Sequence, residues 1–520
     1  MMSFTFVLGF AAAAVVLQLL RLVVNSWYHA RKAQSLGCGS LPRYPCKDPF
    51  GIGTLRESMA ADKEKRIPEL SEQRVQLMAD RENRFVTTFI TRNLGNDIIF
   101  TIEPRNVQAV LATQFKDFEL GGVRRLSMHP LLGTGIFTAD GEEWSRSRSL
   151  LRPQFTRDQI SQLDLEEGHV KKAMQCMPVA DNGWTAETDI QSIFFRLTID
   201  SATEFLFGES AESQLGVLNG REDPKDSFAY YFDKSQHTAS VRTRFEKLAF
   251  LVDNKETRYS DKRVHDYVDK FVAIALRNAE NPKHDLEKGP YVFLDALAAT
   301  TRDPIELRSQ LLNILLAGRD TTASLLSWTT LMLARHPHIF QKLRESIIET
   351  FGTYSNPKNL TFADLKSCQA LQYCMNESLR LYPVVPFNRR CATRDTTLPT
   401  GGGPNGTSPV YVRKGQSIMY SVHVIHRRKD IWGPDADEFK PERWANRKAG
   451  WEYVPFNGGP RICIGQQFAL TEAGYVLVRL LQRFDKIEDV YPERKIRYGL
   501  TLTSCPADLV TVRMHQADDA

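Results

Sequence analysis

From Phe456 to Gly465 the chain reads Phe-Asn-Gly-Gly-Pro-Arg-Ile-Cys-Ile-Gly. A single cysteine, Cys463, lies two residues after Arg461, among glycines, and just ahead of an amphipathic segment at 466–484 with helical periodicity. A thiol at a helix N-terminus is drawn toward its thiolate by the backbone dipole and by the free N–H groups of the first turn. Glycines such as Gly459 and Gly465 permit backbone turns closed to other residues and let a flat ligand approach. A thiolate presented in this way is a strong axial ligand for haem iron and favours O–O bond cleavage. Arg461 is placed to meet a haem propionate. Most cysteines are simply buried structural residues. Packing alone, however, does not call for Phe456, two glycines and an arginine at this spacing, whereas a haem pocket does.

A second chemical signature lies inside an apolar run. Residues 311–335 read as a helix of about 25 residues, roughly 37 Å long, closed by His336-Pro337. Its middle should be purely apolar, yet it carries Ala317-Gly-Arg-Asp320-Thr321-Thr. The Thr321 hydroxyl can bond back to the Ala317 carbonyl four residues earlier and bend the helix. An acid and an alcohol in a bent groove suit proton delivery to dioxygen; the plainer reading is a helix cap or a satisfied core threonine. Glu377 and Arg380 share a face at i and i+3. Such pairs carry little information at a surface, but these sit among apolar residues, with Pro441-Glu-Arg443-Trp downstream. Trp144 and Arg148, at i and i+4, are two donors that could hold a propionate or could belong to a solvated basic face. Arg390 is a weaker candidate for the same task.

The elements that must position these groups follow from the remaining pattern. Helical periodicity dominates from about residue 67 to 495, interrupted by short strand-like runs at 85–92, 98–102 and 410–412, and the polar stretch 215–226 reads as a loop. The expected fold is mainly α with small β-sheets, one large domain over 61–520. Residues 4–20 are almost wholly apolar and the run resumes at 22–24, about the length of a membrane span. Positive charge follows this run at Arg21, Arg31, Lys32 and Arg43 and does not precede it, which reads as an uncleaved anchor over 1–25 with the bulk of the chain in the cytosol. Residues 26–60, rich in Pro and Gly, read as a stiff extended linker. The 520 residues carry a net charge of +5 with no dense basic stripe, which argues against a nucleic-acid partner. The 8 cysteines are scattered without a C-x-x-C pair, which argues against a zinc site and a disulfide scaffold. Gly401-Gly-Gly-Pro-Asn-Gly406 fits G-x-G-x-x-G formally, but Pro404 lies inside it and a strand-like run follows, so it reads as a loop. His423 and His426 read as structural.

The loop Phe-x-x-Gly-x-Arg-x-Cys-x-Gly, the Asp320-Thr321 pair, the Glu377/Arg380 pair with Arg443, and the Trp144/Arg148 pair occur in the order of, and resemble, the signatures of the cytochrome P-450 family. Leu150-Leu-Arg-Pro-Gln-Phe155, the stretch around Ala317-Gly-Arg-Asp-Thr-Thr-Ala-Ser, and the cysteine loop continuing into Gln-Gln-Phe are similar to the fungal alkane- and fatty-acid-hydroxylating members. The resemblance implies the P-450 fold and a thiolate-ligated haem b held by Cys463, with Trp144, Arg148, Arg390, Phe456, Gly459, Arg461 and Gly465 around it. It implies Asp320 and Thr321 as the proton path, and Glu377, Arg380 and Arg443 as a structural network behind the haem loop. Ala317 stands where some animal relatives carry a glutamate esterified to haem, which implies non-covalent haem. It further implies a monooxygenase acting on an apolar substrate with O2, fed by NADPH–cytochrome P-450 reductase at a membrane, by default the endoplasmic reticulum. Another lipophilic metabolite as substrate, a haem-thiolate isomerase or dehydratase, and a haem-binding gas sensor are the competing readings. Substrate contacts are expected within 194–247, near 310–316 and around 384–387.

Overall fold

The computed structural model describes residues 4–155, 163–220, 227–280, 292–358 and 360–518, side chains of 4–11 and 15 excepted. The architecture is mainly helical with small sheets. The helices that position the site are α1 (Phe4–Ser35), α2 (Gly122–Leu132), α3 (Gly141–Leu151), α4 (Asp164–Gln175), α5 (Ile190–Phe207), α6 (Phe228–Arg244), α7 (Lys255–Glu280), α8 (Pro304–Arg335), α9 (Gln369–Leu381) and α10 (Gln466–Arg483).

Helix α8 organises the molecule. Asp303 caps it by accepting from Ile305 N–H at 2.9 Å, and Pro304 occupies its first turn, where a missing N–H costs nothing. It ends where the His336 ring meets the Met332 carbonyl at 2.7 Å and Pro337 follows. The helix is apolar around most of its circumference because it is enclosed on all sides. Its first half, Leu307–Leu316, belongs to a core shared with α2, α5, α6 and α7; its second half, Ala323–Ala334, belongs to a core shared with α4, α9 and α10. The two cores part at Ala317–Thr322.

The main sheet holds β1 (Thr88–Asn93), β2 (Asn96–Thr101), β3 (Phe118–Glu119), β4 (Phe387–Ala392) and, beyond a hairpin of β5 (Thr396–Gly402) and β6 (Ser408–Val412), β7 (Ser417–Ser421). Its order is β1-β2-β7-β4-β3, with β2 and β7 parallel and the other pairs antiparallel. The β1–β2 turn has Leu94 and Gly95 at φ 46° and 79°, the doubly left-handed turn that matches strand twist. Gly401–Gly406 lies in the β5–β6 hairpin and no helix follows it, in keeping with the loop reading.

Three expectations about elements change. The stretch 26–60 is not extended throughout: α1 continues to Ser35, because Trp27 to Ser35 contains neither Pro nor Gly, and a further helix, Ile52–Lys63, begins before residue 60. Part of the presumed loop 215–226 is helical, Ser213–Leu218, and 221–226 lies outside the described residues. Among the described residues no helix is long and apolar enough to cross a membrane. Much of the expected anchor falls on residues whose side chains are outside the described set, while from Val16 to Tyr28 the large apolar side chains of α1 are more than half exposed.

Candidate functional site

The cysteine loop is a set of tight turns held from both sides. Asn457 takes a left-handed conformation at φ 59°, and its side-chain oxygen accepts from the Tyr420 hydroxyl of β7 at 2.7 Å. Gly459, at φ +66°, lies so close to the Leu111 carbonyl that a Cβ would stand 1.9 Å from that oxygen, so no other residue fits. Backbone packing alone therefore accounts for the need for glycine here. Gly465 leads into α10, and a Cβ there would meet only the Phe155 ring at 3.6 Å. Phe456 packs against the core of α4, α9 and α10, and its carbonyl accepts from Cys463 N–H at 3.0 Å.

Of the eight cysteines, Cys463 alone is exposed, although protein surrounds it on most sides: its surface faces a recess, not bulk water. Desolvation pushes its thiol above the ordinary range, against the Gly465 N–H and the charge of Arg148, which both favour the thiolate. The expectation that the helix terminus by itself holds a thiolate is therefore corrected. Burial wins, and a cation bound directly to sulfur is what would ionise it.

On α8, between Ser309 and Ala334, every residue is buried except Ala317, Gly318 and Thr321, which share one face at i, i+1 and i+4. A Cβ on Gly318 would meet nothing within 4 Å. Thr321 Oγ1 donates to the Ala317 carbonyl at 2.5 Å, the back-bond expected from the spacing. Ile464, beside Cys463, packs against the core that also holds Leu311, Leu312 and Ile314–Leu316 of α8, so loop and helix border one core. Asp320 is 5% exposed, and one carboxyl oxygen has no hydrogen-bond partner among the described residues. Burial raises its pKa to about 6, with Arg319 opposing at 3.3 Å and Asp233 adding to the rise. Arg319 in turn makes a two-point contact with Asp233 of α6, the second arm at 3.2 Å.

One side of the recess is cationic. Arg461 donates to Asp140 at 2.7 Å and to the Ala139 carbonyl, and stacks on Trp144 of α3 with its guanidinium carbon 4.4 Å from the ring centre. Arg148 donates to the Ile462 carbonyl at 3.1 Å. Arg390 of β4, 3% exposed, and Arg124 of α2 both donate to the Asn388 side-chain oxygen, at 3.0 and 2.9 Å. Arg124 escaped sequence reading, since two arginines after a glycine pair are an unspecific signal. Desolvation and mutual repulsion push Arg124 and Arg461 each down to about 10. Asp140 is the carboxylate facing this group most directly, and Arg461 Nε has no hydrogen-bond partner among the described residues. Four guanidiniums with so little compensation fit a flat ligand carrying two carboxylates. With an accessible thiol and an accessible face of α8, the residues present fit haem.

Behind the loop, Glu377 and Arg380 of α9 are fully buried and pair at 2.8 and 2.9 Å. Arg443 reaches Glu377 at 3.3 Å and Asp435 at 2.9 Å, and the Trp444 indole donates to Glu377 at 3.0 Å. Arg380 also donates to the carbonyls of His426, Ala436 and Glu438. His426 Nε2 accepts from Val454 N–H at 3.0 Å, so Nδ1 carries the proton and donates to the Arg380 carbonyl at 3.1 Å. His423 Nε2 lies 2.7 Å from Glu72. Both histidines thus serve the scaffold, and among the described residues no group of three or more His, Cys, Asp or Glu could hold a metal ion.

The cytochrome P-450 family model matches residues 66–508. The chain belongs to the cytochrome P-450 family. It is 51% identical over 496 residues to a cytochrome P-450 monooxygenase of a Fusarium species, covering 93% of this chain and 86% of that one. It is 44% identical over 508 residues to the monooxygenase alt2 of Alternaria solani, and 45% over 498 residues to cytochrome P-450 52A13 of Debaryomyces hansenii, with 93% of both chains covered in each case. It is accordingly a P-450 monooxygenase, an oxidoreductase of a family whose members bind haem through a cysteine thiolate.

Proposed function

We propose that this P-450 hydroxylates the terminal carbon of n-alkanes or fatty acids, using O2 and electrons from NADPH–cytochrome P-450 reductase. In this reading α1 is a single-pass anchor in the endoplasmic reticulum membrane and the globular domain faces the cytosol. The carrying observation is a cavity of about 1240 Å³ between the C-terminal part of α1, the start of α2, the end of α6 and the main sheet, lined by Ala30, Ala33, Leu120, Leu126 and Arg124 among others. It is mostly apolar and starts beside the helix that would lie in lipid. It ends at Arg124 and Gly121, next to the cationic rim. Charged residues such as Arg43, Asp97, Glu246 and Lys414 fringe it, and a long apolar chain dissolved in a membrane has a route toward the site along its apolar wall. Residues 120–124 and Thr243, Glu246 and Lys247 line it, so of the expected substrate contacts only the end of the 194–247 stretch is represented.

Haem b, held without a covalent link, would be bound through Cys463, with Arg148, Arg461, Arg390 and Arg124 opposing its propionates. When bound it supplies the centre at which dioxygen is activated, with electron push from sulfur. This chain's own residues do the rest. Burial keeps the Asp320 carboxyl partly protonated near neutral pH, beside an arginine that links it to Asp233 at the surface. The Thr321 hydroxyl, on the one accessible face of α8, can pass a proton on and accept its replacement.

The test is turnover of hexadecane and palmitate by the full-length holoenzyme with reductase and NADPH. Terminal alcohol dependent on both oxygen and reductase supports the reading, and rearranged product without either identifies an isomerase or dehydratase. Cys463→Ala must abolish the red-shifted Soret band of the reduced carbon monoxide complex; its persistence would remove Cys463 from the iron.

A further inference from the structure

Successive residues of a strand face opposite sides, so β4 turns Arg390 to the cationic rim and Arg389 away from it. Arg389 lines the cavity beside α1. It makes a two-point pair with Glu246, at 2.5 and 3.1 Å, and donates to Ser417 Oγ of β7 at 2.6 Å. The Arg389 and Glu246 side chains are 16% and 4% exposed. A guanidinium fork meeting a carboxylate through two bonds is among the strongest forms of carboxylate recognition available to a protein. Here the carboxylate comes from the cavity's own wall.

Glu246 holds this position with a left-handed backbone, φ 55°, a conformation that is costly for a residue with a Cβ. It opens the short helical turn Glu246–Val252, whose Leu248, Phe250 and Leu251 are all exposed, so few apolar contacts hold the turn down. The rest of the wall is rich in cations. Seven Lys and Arg side chains line the cavity against two carboxylates, Glu246 and Asp97, and Asp97 is shared by Arg43 and Arg92 at 2.7 Å each. Lys247, Arg413 and Lys414 have no ion-pair partner among the described residues. The Lys247 ammonium lies near enough to Cys391, two residues after Arg389, to favour its thiolate. A positive surround draws anions inward, and the apolar wall at Leu120, Val123 and Leu126 suits a hydrocarbon chain. The matching ligand is an amphiphile with an anionic head, and the buried fork that would take that head is the one Glu246 fills.

We propose that Arg389 and Ser417 form a carboxylate site in the cavity wall, that Glu246 is its internal stand-in, and that the carboxylate of a long-chain acid takes Glu246's place. In the exchange Arg389 keeps a carboxylate partner, so no buried charge is left unpaired. Glu246 turns out to water and its backbone is freed from the left-handed conformation. No covalent bond changes and no proton moves. The inference rests on this cavity being the substrate's route, but its test needs neither oxygen nor reductase.

The test is equilibrium binding of labelled palmitate and methyl palmitate to full-length holoenzyme in phosphatidylcholine nanodiscs, the ester matching the acid in chain but not in charge. Glu246→Gln leaves Arg389 buried without its carboxylate, so palmitate should bind about tenfold tighter, while Arg389→Gln should weaken it about tenfold, the low end for a hydrogen bond to a charged group. The ester should bind wild type and both variants alike. A merely structural pair predicts the same sign of change in both variants, and that result, or equal shifts for acid and ester, overturns the proposal. If Arg389→Gln fails to fold, Arg389→Lys keeps the charge, loses the fork and should weaken palmitate in the same direction. Displacement of palmitate by phosphatidic acid, with the same dependence on both variants, makes a membrane lipid the occupant and overturns the substrate carboxylate. Opposite shifts in the two variants without any hydroxylation of palmitate would refute terminal hydroxylation and leave this site standing.

Discussion

Arg124, Arg148, Arg390 and Arg461 bring four positive charges to one rim with Asp140 set against them. Burial first, and like charges at this range second, raise the free energy of the site without a ligand and hold Arg124 and Arg461 well below the usual arginine range. An anionic ligand relieves that repulsion, so the rim has high affinity for carboxylates because it is poorly satisfied without them. Arg124 has the least specific sequence signal of the four and still shares the Asn388 oxygen with Arg390. Arg124→Gln removes one charge and leaves Cys463 untouched. A lost hydrogen bond to a charged group costs about 1.5–3 kcal/mol, so haem should transfer to apomyoglobin roughly 10- to 100-fold faster, with the carbon monoxide spectrum unchanged. An unaltered transfer rate would place Arg124 with the substrate cavity alone.

At the scale of elements, the haem loop depends on α9. Arg380 bridges Glu377 to three backbone carbonyls in the segment that leads to the loop, so Arg380→Ala strips three carbonyls of their guanidinium donor and leaves the buried Glu377 carboxylate with Arg443 as its one cation. That should cost about 3–5 kcal/mol, read as a lower denaturation midpoint and loss of bound haem together. The same packing gives a pH signature. Burial holds His426 down at about 3 and His423 at about 4, against an ordinary value of 6.5. Below pH 6.5 the unfolded chain binds protons that the folded chain refuses, so these groups' contribution is full above 6.5 and falls as pH drops toward 3. Each contributes a slope of about 1.4 kcal/mol per pH unit. The acids raised by burial, Asp320, Glu166 and Glu472, act in the opposite sense, since their contribution is lost as pH rises. The difference between wild type and His426→Gln isolates the histidine: its stability–pH slope between pH 4 and 6 should be shallower by about that amount, and equal slopes would mean His426 is charged in the fold. Much of this level was legible beforehand. Helical period and Pro337 marked α8, and the four-residue spacing gave the Thr321–Ala317 bond. Illegible were features set by tertiary contact: the helical form of 26–35, the backbone clash that demands Gly459, and the convergence of Arg124 from α2 on Arg390 from β4, far apart in sequence.

Across the whole molecule, α1 is tied to the globular body at a defined place. The His29 ring meets the Tyr411 hydroxyl at 2.8 Å and Lys32 pairs with Asp395 at 2.7 Å, so the helix is fixed to the start of β5 and the end of β6. Against burial, which raises it, the Lys32 ammonium and the Lys414 backbone N–H hold the Asp395 carboxyl down at about 2. The exposed apolar stretch from Val16 to Tyr28 continues directly into the residues that wall the cavity, Ala30, Ala33 and Gln34. One rigid helix would thus both enter lipid and frame the mouth through which a lipid-soluble chain passes. The arrangement separates capture from chemistry: a side chain on α1 can alter the route without touching Cys463 or Thr321. Ala33→Trp puts an indole into that mouth. The expected result is a KM for hexadecane or palmitate raised about tenfold, as when uniform binding is lost, with kcat and the carbon monoxide spectrum unchanged. A short substrate such as octane, which has less chain to thread, should be affected less. If KM stays constant for every chain length, substrate reaches the site by another path and the cavity beside α1 is not its mouth.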